Sequence, residues 1–167
     1  MITNEDTMSD SPQTDDLPTL GIGLYFEDYH VGQRFQTIGR TITETDIVNF
    51  IGVTGMTEVL FTDLTYEKGV GKAGRVAPAA LTYTLMEGIL CQSIIQGTGL
   101  ALLELHKTIL APVVAGDTVH LEVEVLVARP TSKGGRGIVT TRHDIINQHG
   151  DKVITYEATR MVLARDG

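Results

Sequence analysis

The side chains of this sequence that could move a proton are few and widely spaced. Five histidines (His30, His106, His120, His143 and His149) and a single cysteine, Cys91, stand among 21 acidic residues. The stretch GVTGMTEVLFTD, residues 52–63, leaves a helical segment at Gly55 and carries two acids, Glu58 and Asp63. Moving a proton to or from a reacting group takes a positioned acid or base, most often a histidine or a carboxylate. Here the acids lie among Met56, Val59, Leu60 and Phe61, and no histidine falls in the stretch. Glu58 therefore also reads as a solvated loop acid, and Asp63 as the cap of the turn DLTYE. Among the histidines, only His106, in LELHKTIL, lies on a strand that could border a cavity; an ordinary strand histidine is the competing reading. Cys91 alone excludes an internal disulfide and offers no metal cluster. It reads as a small core residue.

At 167 residues, with 42% hydrophobic and 20% charged side chains, the chain has the size and composition of one globular domain. The net charge of −8 and the scattered basic residues argue against nucleic acid or an anionic membrane as partner. No apolar run approaches the ~20 residues of a membrane span, and no signal peptide is visible, so a soluble cytoplasmic protein without metal or cofactor is expected. Residues 1–22, rich in Asp, Ser, Thr and Pro, read as a disordered acidic lead-in, and residues 23–167 as the folded domain.

The elements that must position the candidate residues follow from periodicity. RFQTIGRTI, 34–42, reads as a first strand. In TETDIVNFIGVTG, Thr43 and Asp46 have the spacing of a capping box. Ile47, Phe50 and Ile51 make one apolar face, and Gly55 is a stop. The longest helical pattern is APAALTYTLMEGILCQSIIQGTG, with Pro78 in its first turn and Gly97 and Gly99 ending it. Its apolar residues cover more than half the circumference, which requires burial on several sides. Gly88 in mid-helix points to close packing against a sheet or a partner. Four strand signals follow: ALLELHKTILAPV, DTVHLEVEVLVARP, IVTTRHDIIN and KVITYEATRMVLA. In the second, Val119, Leu121, Val123, Val125 and Val127 share a face. Consecutive hairpins predict an antiparallel meander. The expected architecture is α+β, a curved antiparallel sheet wrapped around one long central helix, which is the hot-dog arrangement.

Several stretches then resemble, in order, the landmarks of the MaoC-like acyl dehydratases, which include the (R)-specific enoyl-CoA hydratases. They are YFEDYHVGQRF, RTITETDIVNFIGVTG, GRVAPAALTYTLMEGIL, LAPVVAGDTVHLEVEVL and GRGIVTTRHDIINQHGDKV. The resemblance spans residues 24–164. It implies a hot-dog dimer whose two sheets join, and a tunnel for an acyl thioester of coenzyme A or acyl carrier protein. The family's signature after the first helix is Gly-Asp-x-Asn-Pro-x-His. Aligned on Gly55, its Asp position holds Met56 and its His position Phe61, while Glu58 and Val59 replace Asn and Pro. The His-Gly that opens the family's central helix reads Pro78-Ala79.

Met56 and Phe61 can neither accept nor donate a usable proton. Each general acid or base is worth about 10²–10⁴-fold, so loss of both removes ordinary hydratase turnover. Ala79 keeps the helix-end N–H that the resemblance assigns to the thioester oxygen. Substrate contacts are thus expected from Met56, Phe61, Pro78 and Ala79. Any residual chemistry would fall to Glu58, Asp63 or His106. Lys72 and Arg75, in GKAGR, are cations that could meet a coenzyme A phosphate at the tunnel mouth. Three functions fit: an acyl-thioester-binding protein with a degenerate site, an active hydratase with a rearranged acid and base, and a non-catalytic subunit. The last would act as a homodimer or as a heterodimer with a second hot-dog subunit.

Overall fold

The computed structural model describes residues 19–66 and 74–165. Most of the lead-in expected to be disordered, and Lys72, lie outside the described residues. After a 3-10 turn at Phe26–Asp28 come β1 (Arg34–Gln36), β2 (Arg40–Thr41), α1 (Glu44–Thr54), α2 (Val59–Thr62) and β3 (Val76–Ala77). The chain continues through α3 (Ala79–Cys91), β4 (Gly99–Ile109), β5 (Val113–Val114), β6 (Thr118–Pro130), β7 (Arg136–Asn147) and β8 (Lys152–Leu163). The large sheet is antiparallel in the order β1-β6-β7-β8-β4, with β2 also on β6. β3 and β5 form a separate two-stranded pair.

The α+β plan is as expected, and the core explains it. Leu81, Met86 and Leu90 of α3 pack with Leu121, Val123, Ile145, Tyr156 and Ala158 from the central strands. Ile47 and Ile51 bring the apolar face of α1 onto the same cluster. The capping box at the start of α1 is formed: Thr43 Oγ1 accepts from the Asp46 N–H at 3.1 Å, and Asp46 Oδ2 accepts from the Thr43 N–H at 2.8 Å. Gly55 ends the helix at φ 71°, a left-handed conformation that glycine adopts without a Cβ clash.

Several expectations are corrected. The strand over 34–42 is two short strands: Thr37 still donates its N–H to the Leu121 carbonyl, but its hydroxyl rather than its carbonyl accepts the Leu121 N–H, and the regular ladder stops there until Arg40. β4 does not form a hairpin with β6. It pairs with β8 at the far edge of the sheet, because the connection from 110 to 117 is drawn off to pair β5 with β3. Only β6, β7 and β8 form a meander. A bulge between Val125 and Val127 breaks the alternation, so Val127 is 40% exposed while Val119, Leu121, Val123 and Val125 are buried. The central helix stops at Cys91 rather than running to Gly97, and its apolar residues Ile94 and Ile95 lie in the turns beyond it. Pro78 is the N-cap rather than a first-turn residue. Cys91 is exposed, not a core residue. A Cβ added at Gly88 would meet no atom within 4 Å, so no close approach among the described residues accounts for that glycine.

Candidate functional site

The N-terminus of α3 opens on an apolar cleft of about 370 Å³. Leu60 and Phe61 of α2, Ala79 and Thr82 of α3, Ile109 at the end of β4 and Ile154 of β8 are among its walls. Pro78, buried, caps α3 with no side-chain hydrogen bond, and its carbonyl takes the Leu81 and Thr82 N–H groups. The first amides of a helix have no intrahelical acceptor. The Ala79 N–H at the cleft is thus of the kind that favours a developing negative charge. Thr82 is wholly buried, and its hydroxyl has no partner among the described residues. Every other side chain named in these walls is apolar.

Two of the four residues expected to touch a substrate, Phe61 and Ala79, border the cleft, and Pro78 directs the helix that carries it. Met56 does not line it; the side chain is 36% exposed in the link between α1 and α2. The residues named for residual chemistry are not brought together. Glu58 is the N-cap of α2, its carboxylate accepting the Leu60 N–H at 2.7 Å. Asp63 is the C-cap of the same helix, and its Oδ1 accepts from the Thr65 N–H at 2.8 Å and the Thr65 hydroxyl at 2.7 Å. The bond from the Thr65 hydroxyl, then that from its amide, holds the Asp63 carboxyl below its ordinary pKa. Both acids are exposed, and neither borders the cleft.

His106 is on the wrong face. It pairs with Glu157 and bonds Glu104 at 3.0 Å, while its neighbours Leu105 and Lys107 pair with the buried Ala158 and Tyr156 on the α3 side. Of the two cations expected near a tunnel mouth, Arg75 is committed to structure. Its Nε donates to Glu44 at 2.5 Å, and its Nη1 donates to the Phe61 carbonyl. Arg75 therefore fixes α2, and with it Phe61, against α1.

A polar cluster absent from the sequence reading lies farther along α3. Arg160 donates to both oxygens of Glu87, at 2.7 and 2.6 Å, and the Tyr156 hydroxyl donates to Glu87 at 2.7 Å. The ion pair is largely buried, with side-chain exposures of 8% and 17%. Tyr83 meets Tyr156 edge-on at 5.2 Å between ring centroids, and Lys107 Nζ stands 4.3 Å over the Tyr83 ring. Behind Tyr156, the fully buried His143 stacks on its ring at 4.3 Å, with Nδ1 unpartnered. Burial first, then the charge of Arg160, pulls the His143 pKa down to about 3, so the ring is neutral. Burial raises the Tyr83 and Tyr156 hydroxyls, with Glu87 adding to both. Glu87 and Arg160 are 73 residues apart, and no local spacing joins them. The one hint in the sequence was a charged residue in an apolar helix.

Among the described residues no group of acids, histidines and cysteine could hold a metal ion, and no helix is long and apolar enough to cross a membrane.

Comparison with known proteins supplies the frame. A family model for the FAS1-like dehydratase domain region matches residues 29–156. Mesaconyl-CoA hydratase of Cereibacter sphaeroides is 25% identical over 145 residues, covering 86% of this chain and 42% of that protein. The chain thus spans about two fifths of the curated relative it matches. Among solved structures, a MaoC domain dehydratase from Chloroflexus aurantiacus superposes with a TM-score of 0.82 at 25% identity, over 90% of this chain and 43% of that one. The R-hydratase PhaJ1 of Pseudomonas aeruginosa gives 0.71 at 25% identity, over 86% and 88%. With more than half of its residues inside the family model, this chain belongs to the MaoC-like dehydratase family and has its hot-dog fold.

Proposed function

We propose that this chain binds an acyl thioester, with the acyl group in the apolar cleft and the thioester oxygen at the N-terminus of α3. In this reading the chain does not itself hydrate the acyl group. The observation that carries it is Phe61: an aromatic ring lines the cleft at the position where the family's signature has an imidazole. Removing both catalytic groups costs about 10²–10⁴-fold for each, while an apolar wall still favours an alkyl chain. Against a rearranged acid and base stand the positions of the alternatives. Glu58 and Asp63 cap α2, and His106 faces away from α3.

A partner role follows from the free edge of the sheet. β4 presents Leu100, Leu102, Leu103 and Ile109, each about half exposed, next to a strand edge that is unpaired among the described residues. An exposed, apolar edge strand invites pairing with another sheet. We infer that a second hot-dog domain, identical to this one or carrying an intact Asp and His, covers it. The experiment is a titration of the purified protein with butyryl-CoA by calorimetry, repeated with Phe61→Asp. Saturable binding by the wild type, weakened at least tenfold by a charge in the cleft wall, is expected. No binding by a folded wild type would refute the reading.

A further inference from the structure

A threonine hydroxyl inside a helix commonly donates to the carbonyl four residues back. Thr54, Thr62 and Thr84, the other helical threonines among the described residues, do so to Phe50, Glu58 and Ala80, at 2.6, 3.2 and 2.7 Å. Thr82 does not. The carbonyl four residues before it belongs to Pro78 and already accepts the Leu81 N–H at 2.9 Å and the Thr82 N–H at 3.2 Å. Both lone pairs of that oxygen are taken. The Thr82 hydroxyl is left buried without a partner among the described residues. A buried, unmatched hydroxyl is unfavourable, and a valine of the same shape would avoid it.

The position of Thr82 gives the hydroxyl a use. Of the described side chains that border the cleft, Thr82 alone is polar. It lies three residues beyond Ala79 and so shares its face of α3, with Cβ atoms about 5–6 Å apart. Helical side chains lean toward the N-terminus of their helix, which carries the hydroxyl back toward the Ala79 N–H. That amide, at the first position of α3, has no intrahelical acceptor either. Two donors one turn apart thus border one cleft, close enough for a single oxygen to lie within hydrogen-bond reach of both.

Building on the acyl-thioester reading, we propose that Thr82 is the second donor to the thioester oxygen, which its hydroxyl and the Ala79 N–H bind together. None of Thr82 is open to water although it borders the cleft, so its wall fits closely. A helical threonine has two accessible χ1 rotamers, and rotation between them turns the hydroxyl onto the ligand. Away from water that bond meets no competition from solvent. Thr82 then selects for a carbonyl in a site whose other side chains recognise only apolar surface.

Butyryl-CoA and its thioether counterpart, S-butyl-CoA, share chain and carrier and differ in the carbonyl oxygen. Calorimetric titration of the wild type is expected to show butyryl-CoA binding about tenfold or more tighter, as two hydrogen bonds to one oxygen would give. Thr82→Val should weaken butyryl-CoA binding about fivefold and leave S-butyl-CoA within about twofold, while Thr82→Ser restores the preference. The thermal unfolding midpoint of Thr82→Val should equal or exceed that of the wild type, because the variant buries no unmatched hydroxyl. Equal affinities of the wild type for the two ligands would overturn the role of Thr82 and leave binding of the acyl chain standing. So would a Thr82→Val variant with unchanged butyryl-CoA affinity, with an equal loss for both ligands, or with a lowered midpoint. Binding of neither ligand by the wild type would overturn both readings.

Discussion

Phe61 is half-buried against the core and borders the cleft, whereas Glu58 and Asp63 on either side of it point outward and cap α2. A short helix thus presents its apolar ring inward and spends its acids on its own ends. Glu58→Ala should therefore cost about 0.5–1 kcal/mol of stability by urea denaturation, as the loss of a helix cap does. It should leave butyryl-CoA affinity within about twofold. Tenfold weaker binding would instead place Glu58 at the ligand. His143 makes a second prediction. In the folded chain its pKa lies at about 3, and in the unfolded chain at its ordinary value near 6.5. Between those values the unfolded state binds the extra proton. Stability is therefore full above about pH 6.5 and falls as pH drops toward 3, by up to about 1.4 kcal/mol per pH unit. His143→Phe, which keeps a ring against Tyr156, should flatten that slope in denaturation series at successive pH values. An unchanged slope would assign it to other groups.

At the scale of elements, local chemistry was legible and long-range pairing was not. Thr43, Asp46 and Gly55 announce α1 because a cap is made by residues three apart and a left-handed stop needs glycine. Thr43→Ala should cost about 1 kcal/mol in the same assay. The apolar pattern overruns the end of α3 because Ile94 and Ile95 continue it into turns, where they remain packed against the core. The place of β4 beside β8 was also hidden, since the neighbouring strand comes last in the chain. In the candidate site, the signature positions led to Phe61 and Ala79. The opposite wall, Ile109 and Ile154, and the Glu87–Arg160 pair arise from contacts that no sequence spacing encodes. One packing detail is equally silent in sequence. A Cβ at Gly137 would fall 1.9 Å from the Phe26 ring, so β7 receives the 3-10 turn only because this residue is glycine. Gly137→Ala should destabilise by about 1–3 kcal/mol, an overpacking effect read from the shift in denaturation midpoint.

At the scale of the whole molecule, the free strand edge is the feature a single chain leaves unexplained. An apolar β4 beside an acidic, net-negative surface favours association through that edge rather than broad stickiness. Sedimentation of the purified protein should give a dimer. Leu103→Glu, a charge on an exposed edge leucine, should shift it to monomer without changing the fold by circular dichroism. A wild type that is monomeric alone and dimeric only with a second hot-dog protein would select the heteromeric form of the partner role. A wild type that stays monomeric with every hot-dog partner would refute it.

Binding without turnover is the property proposed for this site, and one experiment reads both halves of it. Crotonyl-CoA is mixed with excess purified protein, and the absorbance of its conjugated enoyl group is followed while bound and free ligand are separated. The prediction is saturable binding with the enoyl absorbance unchanged. Steady loss of that absorbance above the buffer rate would contradict it, because the isolated chain would then be a hydratase despite Met56 and Phe61.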